Sequence, residues 1–231
     1  MTQTVPVVEN ILKANDQLAQ TNRALLDQHR TFAVNFMASP GAGKTTLIVR
    51  TVQALKDRFR ITGIDGDIAT TIDADRIAAT GIPAVQINTG GACHLDAVMV
   101  HNALPQVDLA NTDLLIIENV GNLICPASFP LGAHLNVLIA SVPEGADKPY
   151  KYPTMYRGVQ ALVLNKTDLL PYFDFDVAYF RQGVEALNPG LAFFPLSAKT
   201  GDGFDAWVEW LAGQVEAFGM AHRELSMANC Q

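Results

Sequence analysis

Residues 34–46 join an apolar strand pattern to a glycine-rich turn and a Lys-Thr pair that opens a helical pattern. Gly41 and Gly43 allow successive backbone N–H groups to point at one anion, and the helix start adds its positive end. Lys44 can then reach the β- and γ-phosphates of a nucleotide, and the Thr45 hydroxyl can bind Mg²⁺. The segment therefore predicts a phosphate-binding loop, the alternative being an ordinary glycine turn between a strand and a helix.

Residues 165–168, Asn-Lys-Thr-Asp, follow another apolar strand pattern and predict a site for guanine. Guanine presents two donors, N1–H and the exocyclic amine, and the Asp168 carboxylate can accept from both. Adenine presents an acceptor there, so the same buried carboxylate would be left unpaired. Asn165 can hold guanine O6 or the phosphate loop, and the Lys166 stem can lie on the face of the base.

Residues 197–199, Ser-Ala-Lys, follow one more strand pattern and would bring a backbone N–H of Ser197 or Ala198 near guanine O6. Together with the two earlier segments they favour GTP over ATP. The predicted nucleotide-binding residues are Gly41, Ala42, Gly43, Lys44, Thr45, Thr46, Gly121, Asn165, Lys166, Asp168, Ser197, Ala198 and Lys199.

GTP hydrolysis needs Mg²⁺, which takes more oxygen ligands than one threonine supplies. Glu118 follows the apolar run 114–117 and can bind Mg²⁺ directly or through water, while Gly121 can turn a backbone N–H toward the γ-phosphate. Asp67, at the end of the second strand pattern, is the other candidate ligand. The predicted catalytic residues are Lys44, Thr45, Asp67 and Glu118, of which Thr45, Asp67 and Glu118 are the predicted Mg²⁺ ligands.

The polar segment 67–76 is a predicted switch that becomes ordered on the triphosphate. An alternative role for Asp73 is to cap a helix that the pattern predicts over residues 73–80.

Cys93, His94 and Cys125 are candidate ligands for a second metal ion. Thiolate and imidazole suit Zn²⁺ or Ni²⁺. Adjacent residues cannot close a compact site alone, so Cys125 or a second subunit is needed. Buried, unreactive cysteines are the alternative interpretation.

The other histidines and the last cysteine are predicted to take no part in this site. His29, His134 and His222 are expected at surface or loop positions, and His101 is expected to pack in the core on the same predicted helix as His94. Cys230 is expected to be a free exposed thiol.

Short apolar runs alternate with helical patterns from residue 32 onward, which predicts an α/β fold with a mostly parallel sheet covered on both faces. Ligands in such sheets bind at the carboxyl ends of the strands, where every motif above lies. The predicted strands are 32–37, 60–65, 83–87, 113–118, 135–142, 160–165 and 191–196, and the predicted helices of this region are 44–57, 73–80, 94–104, 175–187 and 203–218.

The first thirty residues predict a helical extension. An amphipathic helix is expected over residues 7–28, and its apolar stripe can pack on the main domain or dock a partner. The stripe comprises Val8, Ile11, Leu12, Leu18, Leu25 and Leu26. We predict an N-terminal helical extension over 1–30, a nucleotide-binding domain over 31–220 and a C-terminal tail over 221–231.

Composition excludes several classes of partner. The net charge of −7 and a pI near 5.1 argue against a nucleic-acid groove, which needs an excess of basic residues. No apolar run is long enough to span a membrane, so no membrane partner is expected. Three widely spaced cysteines are not a disulfide framework and favour a reducing cytoplasm.

Taken together, these residues resemble HypB, the GTPase family that delivers nickel during [NiFe]-hydrogenase maturation. The likeness covers nearly the whole chain, including the alanine at position 38 that replaces the usual first glycine of the phosphate loop. The segments that carry it are 13–16 (Lys-Ala-Asn-Asp), 39–45 (Ser-Pro-Gly-Ala-Gly-Lys-Thr), 73–76 (Asp-Ala-Asp-Arg), 93–96 (Cys-His-Leu-Asp), 118–126 (Glu-Asn-Val-Gly-Asn-Leu-Ile-Cys-Pro), 147–149 (Asp-Lys-Pro), 151–153 (Lys-Tyr-Pro) and 165–168 (Asn-Lys-Thr-Asp).

The resemblance implies a three-layer P-loop GTPase fold of the SIMIBI type, whose members pair face to face across their active sites. It implies a nucleotide-dependent homodimer with a Ni²⁺ or Zn²⁺ site at the interface, built from Cys93, His94 and Cys125. A HypA-like nickel chaperone and the hydrogenase large subunit are the implied protein partners.

The expected function is that of a cytoplasmic GTPase that couples hydrolysis of GTP to GDP, together with dimerisation, to nickel delivery into [NiFe]-hydrogenase. The γ-phosphate would be sensed by residues 118–121, and the short chain to Cys125 would carry the change to the metal. Two alternatives stay open: a related GTPase serving urease or a cobalamin enzyme, and a nucleotide-gated binding module without metal transfer.

Overall fold

The structure is a computed structural model that describes residues 7–68, 71–122 and 124–228. Cys230 lies outside the described residues, and so do two positions of the predicted switch, 69 and 70. None of the described helices is long and apolar enough to cross a membrane.

A seven-stranded, fully parallel sheet forms the centre of the described structure, as the sequence predicted. The strands are β1 (Phe32–Ala38), β2 (Ile61–Asp67), β3 (Ala84–Asn88), β4 (Leu114–Glu118), β5 (Leu135–Ser141), β6 (Ala161–Asn165) and β7 (Ala192–Pro195). Their order across the sheet is β3-β2-β4-β1-β5-β6-β7. Every residue of β1 and β4 is buried, which explains why these strands are nearly continuous apolar runs.

Helices cover both faces of the sheet, so the predicted three-layer α/β class is confirmed. The α-helices are α1 (Val7–His29), α2 (Lys44–Leu55), α3 (Ile72–Ala78), α4 (Ala97–Ala103), α5 (Lys148–Lys151), α6 (Pro153–Arg157), α7 (Val177–Leu187) and α8 (Phe204–Ala228). Helices α2, α3 and α8 pack on one face, while α1, α4 and the α5–α7 group contribute to the other. Alternate strand residues enter opposite cores: Val34 and Phe36 pack with α2 and α8, whereas Ala33 packs with α1 and α4.

The helices differ from the predictions most at α4, α8 and two short segments. Helix α4 begins at Ala97 rather than at residue 94, because the Asp96 side chain accepts a hydrogen bond from the Met99 N–H and caps it. Helix α8 continues to Ala228, ten residues beyond its predicted end. The short helices α5 and α6 were not predicted, since each contains a proline, a residue that usually interrupts helical patterns.

Helix α1 packs on the main domain, but its buried stripe is not centred where the hydrophobic pattern placed it. Ile11 is 53% exposed, and the buried positions among the described side chains of α1 are Asn15, Ala19, Asn22 and Leu26. The two asparagines bind main-chain groups: Asn15 reaches Pro130 O and Ala97 N, and Asn22 reaches Ala97 O and Leu131 O. Polar contacts with the rest of the fold, rather than apolar packing alone, fix this helix.

Candidate functional site

The phosphate-loop segment runs from β1 into α2 through two glycines in the left-handed region. Gly41 has φ 77° and Gly43 has φ 95°. A Cβ on Gly43 would lie 2.5 Å from the Asn165 side-chain nitrogen, so a larger residue is excluded there by conformation and by space. The Lys166 ammonium donates to Gly41 O at 2.6 Å and the Asn165 amide donates to Ala42 O at 2.9 Å. The loop is therefore held by the segment predicted to bind guanine.

Lys44, Thr45 and Glu118 meet at the start of α2, as their predicted shared role requires. The Lys44 ammonium lies 2.5 Å from one oxygen of the Glu118 carboxylate, and the Thr45 hydroxyl donates to the same oxygen at 2.6 Å. Glu118 is fully buried and Lys44 is 11% exposed. A buried carboxylate needs such a charged partner, so both residues are held in place.

A second buried carboxylate, Asp65, was missed in the sequence. It lies opposite Glu118 in the parallel pairing of β2 with β4. Among the described residues, Asp65 Oδ2 and Glu118 Oε2 have no hydrogen-bond partner. Burial and then the Glu118 charge raise the pKa of Asp65 to about 7. Two orphaned oxygens beside the Thr45 hydroxyl fit a hard divalent cation, which binds oxygen ligands.

The alternation of side chains along β2 could have identified Asp65 from the sequence. Asp67 was identified as a ligand candidate, and a residue two positions earlier on a strand lies on the same face. Asp65 and Asp67 both line a cleft of about 370 Å³ over the phosphate loop. The cleft is lined by Ser39, Pro40, Gly41, Gly43, Lys44, Thr45, Thr46, Asp65, Gly66, Asp67, Asp73, Arg76 and Gly121.

Asp73 does not cap α3, because that helix begins at Ile72 with Thr71 at the N-cap position. Instead its carboxylate pairs with Arg76 at 3.3 Å, and Arg76 also donates to the Thr46 hydroxyl at 3.2 Å. The predicted switch segment is thus connected to the first turn of α2 at the edge of the cleft.

The predicted guanine site forms a second cleft, also of about 370 Å³, that shares Gly43 and Thr46 with the first. It is lined by Gly43, Thr46, Asn165, Lys166, Asp168, Leu169, Ala198 and Lys199. Lys166 has φ 61°, an uncommon left-handed conformation for a residue with a side chain. The Ser197 hydroxyl donates to Asp168 Oδ1 at 2.6 Å, which fixes the orientation of that carboxylate.

The backbone N–H groups of Ser197 and Ala198 are engaged within the protein. Ser197 N donates to Asp202 O at 2.9 Å, and Ala198 N donates to Asn165 Oδ1 at 2.9 Å. Of the two roles that the sequence left open for Asn165, the observed one is to hold the phosphate loop.

Cys93, His94 and Cys125 come together in one chain, with one ligand atom of each within 4.8 Å of the others. Cys93 Sγ lies 3.7 Å from His94 Nδ1. Cys93 is exposed and Cys125 is partly exposed, so neither is the buried core cysteine of the alternative interpretation. The His94 ring stacks on Phe129 with 4.0 Å between ring centroids.

The loop position of His94 differs from its predicted place on a helix, since it precedes the capping residue of α4. Partial burial lowers the pKa of His94, which favours the neutral imidazole that binds metals. The pKa of Cys125 is raised, first by its hydrogen bond with Cys93. Two sulfurs and one imidazole nitrogen fit a borderline divalent ion such as Ni²⁺ or Zn²⁺.

The other described histidines lie away from this cluster. His101 binds the Asn22 side chain at 2.8 Å. His134 lies in the loop before β5, one of the two kinds of position predicted for it, and its side chain is only 6% exposed. Its Nδ1 accepts from Ala33 N and its Nε2 faces Asp27.

A parallel α/β sheet with a phosphate loop after its first strand, and the predicted base segment after β6, defines a P-loop nucleotide-binding protein. The family model described as "CobW/HypB/UreG, nucleotide-binding domain" matches residues 32–195. The chain is 46% identical over 205 residues to the hydrogenase maturation factor HypB of Escherichia coli K12, which covers 89% of this chain and 71% of that protein.

Two solved structures have the same fold. A crystal structure of HypB from Helicobacter pylori in complex with nickel superposes with a TM-score of 0.83 at 38% identity, covering 88% of this chain and 96% of that one. HypB from Archaeoglobus fulgidus gives 0.82 at 38% identity, covering 88% and 99%. The chain therefore belongs to the CobW/HypB/UreG family, in its HypB group.

Proposed function

We propose that this protein is a GTP-hydrolysing metallochaperone that couples GTP binding, hydrolysis and dimerisation to nickel delivery into [NiFe]-hydrogenase. The observation that carries the proposal is the path of the chain after β4. Glu118 ends that strand beside Lys44 and Thr45, and seven residues later Cys125 joins Cys93 and His94 in a thiol–imidazole cluster. Nucleotide and metal would thus act on one short segment.

GTP is the proposed nucleotide because Asp168 offers an oriented carboxylate in the base cleft. Its remaining acceptor capacity suits the two donors of guanine, and adenine would leave the charge unpaired. The Lys166 stem, held over the loop by its bond to Gly41 O, can cover one face of the base.

For hydrolysis, Lys44 and the amides of the phosphate loop would stabilise the negative charge of the transferred phosphoryl group. Thr45, Glu118 and Asp65 are the residues proposed to hold Mg²⁺, with Asp67 the further candidate from the sequence. When bound, Mg²⁺ would supply positive charge that neutralises the charge developing on the phosphoryl group. Gly121 lines the same cleft and can sense the γ-phosphate.

Nickel is the proposed cargo, and the Cys93, His94 and Cys125 cluster its proposed site, with zinc as an alternative occupant. The support is the donor set, together with the nickel complex of the structurally similar Helicobacter pylori protein. Three ligands leave a coordination position open, which a second copy of the chain could fill in a homodimer. A HypA-like chaperone, the hydrogenase large subunit and a cytoplasmic location complete the proposal.

The test is to measure GTP turnover and bound nickel in matched variants. Lys44→Ala should lower turnover about a hundredfold or more, because the phosphoryl charge loses its ammonium partner. The double change Cys93→Ala, His94→Ala should remove stoichiometric nickel, whereas the exposed-histidine control His29→Ala should keep it. Wild-type turnover in the Lys44 variant, or full nickel content in the double variant, would overturn the proposal.

A further inference from the structure

Leu95, the residue after His94, is clamped between the two strands that carry the buried carboxylates. Its backbone N–H donates to Asn119 Oδ1 at 3.0 Å, directly after the end of β4. Its side chain lies so close to β2 that a Cβ on Gly66 would be 2.6 Å from Leu95 Cγ. Leu95 is fully buried. One residue of the metal-binding loop therefore contacts both strand ends.

Side chains alternate between the two faces of a strand, and this alternation connects the phosphate cleft with the Cys93–His94 loop. Asp65 lines the phosphate cleft, and its strand partner Glu118 binds Lys44 and Thr45, which line the same cleft. The residues that follow the two carboxylates, Gly66 and Asn119, meet Leu95 on the opposite face of the sheet. When either carboxylate binds a cation, a shift of its strand end would also displace Leu95, because the interior around Leu95 is closely packed.

Asn119 is held in a single orientation. Its Oδ1 accepts from the N–H groups of Leu95 and Val120, at 3.0 and 2.9 Å. Its Nδ2 donates to Asn35 Oδ1 at 3.2 Å, and Asn35 Nδ2 donates in turn to Asn136 Oδ1 at 3.0 Å. Because backbone N–H groups can only donate, the amide cannot be flipped without losing these bonds. Asn119 and Asn35 are buried, so the hydrogen bond between their amides is shielded from water.

We infer that Asn119 and Leu95 are positioning residues that set the geometry of Cys93 and His94 according to the bound nucleotide. This route is separate from the chain between Gly121 and Cys125 and reaches the other two ligands of the cluster. The inference rests on the function proposed above, since it requires that nucleotide and metal binding are coupled.

The test is a Ni²⁺ titration of the full chain with Mg²⁺ and either GDP or a non-hydrolysable GTP analogue. The wild type should show nickel dissociation constants that differ about fivefold or more between the two nucleotides. Asn119→Ala should bring that ratio close to one. Asn15→Ala is the matched control: this buried asparagine also binds the backbone of the segment, at Ala97 N, but from α1, so the ratio should persist.

The outcomes separate the two proposals. Equal nickel affinities in the wild type would overturn the proposed function and this inference with it. A wild-type ratio that persists in Asn119→Ala would overturn only the positioning role. If Asn119→Ala fails to fold, the test is the NMR chemical shift of the Leu95 backbone amide in the metal-free wild type. This shift should differ between the GDP and GTP-analogue states by more than the shift of the Ala97 amide does. An unmoved Leu95 amide would overturn the inference.

Discussion

Asp168 and Ser197 together would define which base the proposed guanine cleft accepts. The Ser197 hydroxyl donates to one carboxylate oxygen of Asp168 and so fixes the orientation of the carboxylate. The other oxygen therefore points in a fixed direction. A directed, charged acceptor discriminates strongly, because a base that offers no donors leaves it unpaired.

Changing the carboxylate to an amide should change the preferred base. Asp168→Asn keeps one acceptor and gains one donor, which suits xanthine, where a carbonyl replaces the exocyclic amine of guanine. GDP affinity should fall about a hundredfold, the loss expected for a charge-assisted contact, while XDP affinity should rise. Competition binding with GDP and XDP measures both.

Ser197→Ala is the matched control, since it frees the carboxylate without changing its charge. It should weaken GDP binding without reversing the preference. If Asp168→Asn still prefers GDP over XDP, the carboxylate does not determine which base is bound.

His134 makes a separate, pH-dependent contribution to stability. Burial lowers its pKa from 6.5 to about 4; Asp27 opposes the shift, and the positive charges of Arg23 and His222 add to it. Its Nδ1 accepts from Ala33 N at 2.9 Å, so the folded state requires the neutral ring. Because the unfolded histidine takes up a proton first, the stabilising contribution is full above about pH 6.5 and is lost as the pH falls toward 4.

The wild type should therefore lose on the order of 1–2 kcal/mol of unfolding free energy between pH 7 and pH 5 through this residue. His134→Asn, which can still accept from Ala33, should show a smaller loss over that interval in urea unfolding. The comparison variant is His29→Asn, at the exposed end of α1. A pH dependence of His134→Asn as steep as that of the wild type would contradict this account.

At the scale of elements, α1 is fixed by asparagines in its buried face. Asn22 is fully buried and binds Ala97 O, Leu131 O and the ring of His101. This one side chain therefore joins α1 to α4 and to the loop before β5.

Asn22→Ala should lower the unfolding free energy by about 2 kcal/mol, because it leaves buried carbonyls without donors. The measurement is urea unfolding monitored by circular dichroism. Thr21→Ala, one residue earlier on the exposed side of α1, should change stability by less than about 0.5 kcal/mol. Equal effects of the two changes would show that the buried contacts of Asn22 contribute nothing.

The strands were predictable because burial on both faces leaves an apolar signature, and β1 and β4 begin within one residue of their predicted starts. The phosphate loop, the base segment and the Cys-His-Cys set were also visible as residue types after strands. The features that were missed depend on contacts between distant segments. Asn22 is a residue type usually found at the surface. The alternation of β2 relates Asp65 to Asp67, but its place opposite Glu118 follows only from the pairing of β2 with β4.

At the scale of the whole molecule, strand order brings the sites together. Strand β4 lies between β2 and β1, so the carboxylates of Asp65 and Glu118 meet beside the phosphate loop that follows β1. The loop containing Cys93 and His94 follows β3, beyond β2 on the same side of β4. The residues proposed to bind phosphate, cation and nickel thus lie at the carboxyl edge of the sheet, where parallel sheets bind their ligands.

The central claim is that one chain joins nucleotide state, self-association and nickel. The most direct measurement is the mass of the full-length protein by light scattering, together with its nickel content, with Mg²⁺ and either GDP or a GTP analogue. We expect the GTP analogue with nickel to give a dimer whose metal content or affinity differs from that of the GDP form. A mass and a nickel content that are identical with both nucleotides would contradict the account.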